Sequence, residues 1–274
     1  MEFGRTTTIG YDTTASYDPL FAAQLFSPIG FSGSYSARGI TEGSRTDNNI
    51  RYSNRTGPID YGLSYSLGGV AGKFGAGSTF GANIGYEAHG FGIQAVYYSA
   101  RDEVHSGGLV GANPAGSVLI GTNVGALTLN NDEDVMIAAK YAIGNAAFKA
   151  GYEHYELKAP SDPSAAGATV DYFGYTGTLT NTVHPTKTNL YYAGGDYKFS
   201  PFFDVAIGAY DTQTMQSSAV AGGNQWQCSV LANYNLSRCA DVYVGFMYSN
   251  YNGAAFVGSE SSNYIVATGV RTFF

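Results

Sequence analysis

From Ile59 to Leu67 this chain alternates: Ile59, Tyr61, Leu63, Tyr65 and Leu67 are apolar, and Asp60, Gly62, Ser64 and Ser66 between them are small or polar. Successive side chains of a β-strand point to opposite faces, so a period of two makes one greasy face and one wet face; a helix would scatter these residues around its axis. The same alternation returns near 2–9, 49–55, 82–87, 91–98, 134–141, 148–153, 186–199, 202–214, 224–236, 241–250 and 262–274, which makes twelve strands in all. Short breaks at 57–58, 88–90, 144–145, 200–201 and 237–240 take turns with long ones at 10–47, 69–78, 102–132, 158–185, 215–223 and 251–261. Antiparallel neighbours joined alternately by tight turns and long loops form an up-and-down meander, the connectivity of bacterial outer-membrane barrels.

Composition says where the greasy face goes. Charged residues are only 13% of the chain, against about 25% in an ordinary domain, yet mean hydropathy is −0.10. The 37 Gly, 23 Tyr and 16 Phe point the same way. Apolar surface is interleaved with small polar residues instead of being gathered into a core. A soluble β-sandwich or a lectin-like solenoid is the competing architecture, but a sandwich hides its apolar faces against each other and shows charge outside. Here the second face is Ser, Asn, Gly and Gln with scattered charge, as a water-filled lumen requires. Phe80, Phe91, Tyr155, Tyr197, Phe199, Phe202, Phe203, Tyr234 and Phe274 lie near strand ends, as interfacial aromatic girdles do. No run of about 18 apolar residues predicts a transmembrane helix, and a barrel strand needs none. A net charge of −7 argues against nucleic acid as a partner.

Several stretches resemble the general-porin family of Gram-negative bacteria. Arg45-Thr46-Asp47-Asn48-Asn49-Ile50-Arg51-Tyr52-Ser53, with Gly57 and the strand from Tyr61 to Leu67, resembles the hairpin that follows that family's inward-folded third loop. Phe3-Gly4-Arg5 resembles the strand end before the loop, and Tyr234-Asn235-Leu236-Ser237-Arg238 with Asp241-Val242-Tyr243 a turn near the C-terminus. Gly269 to Phe274 resembles the terminal strand, whose last residue, Phe274, is the family's assembly signal. The resemblance implies an all-β, transmembrane antiparallel up-and-down β-barrel of about sixteen strands, of which the twelve here are strands five to sixteen. It implies one domain over 1–274, with 10–47 as the inward constriction loop. It also implies a homotrimer for the intact protein, outer-membrane lipid as surroundings, and passage of ions and small hydrophilic solutes. Met1 opens on a strand and not on a signal peptide, so the sequence is expected to begin inside a longer one.

Selectivity in such a pore comes from charged side chains at its narrowest point. The resemblance places Arg5, Arg51 and Arg55 on the constriction wall. Alternation agrees for Arg51 and Arg55, which share the inward parity of Ser53, but puts Arg5 outward with Phe3; a bulge near Gly4 would reconcile the two. Arg55 also faces Asp60, so wall pairing is the alternative to pore lining. The loop offers Asp12, Asp18 and Arg38, and Ser27-Pro28-Ile29-Gly30-Phe31-Ser32-Gly33 stands where related porins carry a glutamate. A positive bias follows, and with it an expected preference for anions. Asp60, Glu87, Asp134, Glu153 and Asp196 on the lumen face oppose it.

Other functions find little support. His89, His105, His154 and His184 do not stand beside a serine with an acidic orienter, so catalysis is not expected. A receptor or adhesin working through the long loops is the rival reading, but loops of Gly, Ala, Ser, Thr and Asn make poor binding hot spots. Gly68 to Phe74 lacks the first Gly and the final Ser/Thr of a phosphate loop. Cys228 is expected opposite about Ser249 and Cys239 in a turn, which argues against a disulfide. No metal or other cofactor is implied.

Overall fold

The structure is a computed structural model, described over residues 1–23, 26–27, 45–106, 127–165, 167–172, 175–180, 186–215, 222–253 and 261–272. In chain order the elements are β1 (Glu2–Thr7), α1 (Ile9–Tyr17), β2 (Arg45–Thr56), β3 (Ile59–Ser66), β4 (Thr79–Ala88), β5 (Phe91–Ser106), β6 (Leu127–Ile143) and β7 (Ala146–Lys158). There follow β8 (Thr169–Tyr172), β9 (Tyr175–Thr180), β10 (Thr186–Ser200), β11 (Phe203–Thr214), β12 (Gly223–Ser237), β13 (Ala240–Gly253) and β14 (Ser262–Thr272). Twelve strands pair antiparallel in sequence order from β1 to β14, with β7 beside β10. The β8–β9 hairpin stands off this path, and β9 touches β6 in parallel. The path is open: among the described residues β1 and β14 are its two edges.

The expected strands are all present, and the differences fall at their ends. The first strand stops at Thr7, residues 9–17 form a helix where the sequence predicts loop, and 45–47 already belong to β2. The predicted loop at 158–185 contains a 3-10 turn (Pro163–Ala165) and the β8–β9 hairpin. Cys228 pairs with Tyr248 and not with Ser249, and both cysteines are free thiols.

Alternation sorts side chains as the sequence predicts. Ile59, Leu63, Ile84, Phe148, Ile207 and Val244 are 45–61% exposed on the convex face. Such surface is unfavourable in water and at home in hydrocarbon. Their neighbours one residue away face a concave side on which Ser66, Glu153, Gln227, Ser229 and Ser249 are buried. Aromatic pairs bound the convex apolar band. Phe199 meets Tyr197 and Phe203 at 4.8 and 5.5 Å on the short-turn side. Tyr152–Tyr191 and Trp226–Tyr248 stand at 5.1 and 6.4 Å on the long-loop side. Directly beyond the upper pairs the outward row becomes polar: His154, Asn189, Gln213, Asn224 and Asn252 are consecutive register partners. His154 Nδ1 lies 2.7 Å from Asn189 Oδ1 and the Tyr152 hydroxyl donates to the same oxygen at 2.8 Å, so these outward polar groups are satisfied at the band's edge.

Candidate functional site

The candidate site is formed by residues 8–23 and 26–27 and the wall they cross. Apart from Ala15, little in Ile9-Gly10-Tyr11-Asp12-Thr13-Thr14-Ala15-Ser16-Tyr17 favours a free helix, since Gly, Thr and Tyr are weak helix formers. The Thr8 side chain caps it by accepting from the Tyr11 backbone at 3.1 Å, and Asp12 in the first turn suits the positive end of the helix. Packing supplies the rest: α1 lies against the concave side of β3 to β7.

From there the chain runs across the concave wall in contact with successive strands. Ile9 packs over Gly81 of β4, and Thr13 Oγ1 is 3.1 Å from Gln94 Oε1 of β5. Tyr17 stands above Gly92, with Lys140 of β6 at 4.9 Å from its ring centroid. Burial, then the carboxylates Glu87 and Asp60, pushes the Tyr17 hydroxyl up to about 12. At Asp18 several contacts converge. The Tyr210 hydroxyl of β11 donates to Asp18 Oδ1 at 2.7 Å, the Ala22 backbone donates to Oδ2 at 2.7 Å, and Lys149 of β7 donates to the Asp18 carbonyl at 3.0 Å. Lys149 is also 3.6 Å from the Phe21 ring centroid and 3.9 Å from Asp196. Further on, Pro19 sits on Gly194 of β10, Phe26 sits on Gly245 of β13, and Gln227 of β12 donates to the Phe26 carbonyl at 3.0 Å.

The charged residues expected at the constriction meet here in part. Arg51 Nη1 lies 2.6 Å from Asp12 Oδ2, donates to the Thr7 carbonyl at 3.1 Å, and its Nε donates to Ser53 at 3.1 Å. This ion pair joins wall to inward segment. Arg55 is opposite Asp60 in register but pairs with Glu87, at 3.9 Å, while Asp60 accepts from Gln94 and Asn83 at 2.8 and 3.3 Å. Glu87 also holds Lys140 at 3.1 Å. Arg5 stands at a β-bulge: pairing with β2 shifts between Gly4 and Thr6, and Gly4 has φ of +101°. Its partner is Asp47 at 3.5 Å, with both side chains more than 60% exposed. Asp18 is 0% exposed and faces the wall, and burial pushes its carboxyl above the usual range although Tyr210 and backbone donors pull the other way. Arg38 and Phe274 lie outside the described residues.

Four participants escaped the site residues chosen from sequence: Glu87, Lys140, Lys149 and Tyr210. Inward parity put Glu87 on the lumen face, and Lys140 and Lys149 are register partners, but parity cannot say which height the loop crosses. The wall carboxyl groups of Asp134 and Glu153 are withdrawn from water, at 1% and 0% exposure. Among the described residues no group of three or more His, Cys, Asp or Glu is arranged to hold a metal.

A family model described as Gram-negative porin matches residues 1–254. No curated protein sequence matches the chain. Among solved structures, the outer-membrane protein OmpT of Vibrio cholerae superposes with a TM-score of 0.69 at 15% identity, covering 99% of this chain and 76% of that one. The trimer form of in-vitro folded OmpT gives 0.68 at 15%, covering 99% and 76%. An anion-selective porin from Comamonas acidovorans gives 0.65 at 16%, covering 99% and 73%. At these identities the likeness is one of fold.

Proposed function

The chain belongs to the Gram-negative porin family, an outer-membrane channel family, and from that premise we propose that the Arg51–Asp12 contact marks the selective narrows of a passive, water-filled path for ions and small hydrophilic solutes. The observation that carries this reading is the 2.6 Å ion pair between a wall arginine and the segment lying across the concave side. Charge of both signs at a narrow, low-dielectric point polarises water and sorts solutes by charge as well as size. The work of such a site is steering, with no bond made or broken, and the chain is read as a channel and not an enzyme. The anchored residues 10–23 and 26–27 belong to the residues read as the constriction loop, 10–47, of a single domain over 1–274. The intact protein is read as a homotrimer in the outer membrane, in keeping with the trimer form of the Vibrio OmpT relative.

Anion preference is the first reading of selectivity. Arg5 and Arg55 keep 62% and 54% of their side chains exposed, and guanidinium stays charged at every working pH, whereas Asp18, Asp134 and Glu153 are shut away from water. The anion-selective Comamonas porin shows that the fold can carry such a preference. One observation favours the opposite: each of the three arginines already holds a carboxylate, Asp47, Asp12 or Glu87. Reversal potentials across a KCl gradient separate the two. The first expects chloride to carry the excess current; a potential of the potassium sign overturns it and establishes the second. Absence of conductance from protein purified out of outer membranes overturns the channel reading itself.

A further inference from the structure

Resting on the channel reading, we infer that Tyr210, Lys149 and Gly245 are positioning residues for the constriction: they touch no solute, and they hold the inward segment at the height and depth where Asp12 meets Arg51. The segment has few internal restraints. Among its described residues beyond α1, the backbone N–H groups make turn contacts, such as Ala22 to Asp18 and Phe26 to Ala23. Its path is therefore set from outside, by the wall.

Two kinds of anchor do this. The first is polar and central. Asp18, at the C-terminal cap of α1, is fully buried and receives the Tyr210 hydroxyl, while Lys149 grips its carbonyl. A buried donor or acceptor left without its partner costs about 1–3 kcal/mol, so once Tyr210 is in place Asp18 is expensive to withdraw. The second is steric. Concave-facing glycines leave a shallow track across the wall into which the segment's larger groups settle. A methyl group would stand 3.0 Å from the Tyr17 hydroxyl at Gly92, 2.8 Å from Pro19 Cβ at Gly194, and 2.3 Å from Phe26 Cζ at Gly245. Gly245 is the cleanest of these, because the three atoms nearest its added carbon all belong to the Phe26 ring and none to the wall backbone. A side chain there would lift Phe26 and leave the strand itself intact.

The test uses channels purified from outer membranes, in a background with Cys228 and Cys239 replaced by Ser. Tyr210→Phe, Lys149→Met and Gly245→Val are compared with the parent and with Ala150→Val on the lipid face. Folding is monitored by heat-modifiable gel mobility. Segment position is read by a short bifunctional thiol reagent bridging Thr13→Cys to Gln94→Cys, whose native side-chain oxygens are 3.1 Å apart. The expected result is slower bridging and higher, noisier single-channel conductance in the three variants, with the Ala150→Val control at parent values. Should Gly245→Val not fold, Phe26→Ala removes the same contact without added bulk and takes its place. Parent-like bridging and conductance in the folded variants overturn the assignment. If the parent bridges but does not conduct, the channel reading fails, and the bridging rates alone decide the positioning role.

Discussion

Arg5 is the residue at which alternation stops being a guide. Parity counts faces correctly only while pairing is continuous, and the bulge between Gly4 and Thr6 interrupts it. Gly4 takes a positive φ that other residues avoid, and this lets the strand turn before α1 begins. Asp18 illustrates a different limit. A carboxylate in a loop has no parity, so its side chain, expected among the loop's charges, points into the wall. The shared face of Arg51 and Arg55 was legible because both sit on the regularly paired stretch of β2. The charge balance at Arg51 gives a residue-scale prediction. Arg51→Ala frees Asp12, 41% exposed, from its only described ion pair, and removes one positive charge from the narrows. The reversal potential is expected to move toward potassium, and Arg51→Lys to move it less. No shift in either variant would remove Arg51 from the selective site.

At the scale of elements, strands were readable and the pieces inside long loops were not. Each strand of the main path has its own alternating pattern. By contrast, α1 has no amphipathic period and only Ala15 as a good helix former, and its form depends on a wall assembled from residues far along the chain. The lipid-facing pattern is strong enough for a quantitative expectation. Ile207 is 55% exposed on the convex face, and a lysine at mid-bilayer costs about 2–4 kcal/mol. Ile207→Lys should lose about that much in urea unfolding from vesicles, while Asp204→Asn on the concave face should stay close to the parent. A second expectation concerns the rim of long loops. Lys73, between β3 and β4, lies 2.5 Å from Asp162 beyond β7 and also donates to Ser164, and Asp162 donates its backbone N–H to Asp102 at 2.8 Å. The Lys73 ammonium and the Ser164 donors hold the Asp162 carboxyl down at about 2. A depressed folded value means the clasp is complete above the unfolded value of about 3.9 and is lost as pH falls through about 2. A nitroxide at Ala76 should gain mobility over that window, and Asp162→Asn should show the same mobility at neutral pH. A pH-independent spectrum would show that the clasp does not restrain the loop.

For the whole molecule, the open path from β1 to β14 matters most. Among the described residues β1 and β14 present unpaired rows of backbone N–H and C=O groups, and in hydrocarbon each bare group costs several kcal/mol. A polypeptide of residues 1–274 refolded by itself into vesicles is therefore expected to give no robust, uniform single-channel steps, and regular steps from it would show that β1 and β14 find each other.

The anchors also fix when the filter can come into being. Asp18 meets Tyr210 across 192 residues of chain, and the Phe26 carbonyl meets Gln227 across 201. Contacts that distant cannot close until the intervening strands are laid down. A sheet laid down only as far as β10 would lack the Tyr210 and Gln227 anchors, and selectivity would arrive as one of the last steps of its biogenesis.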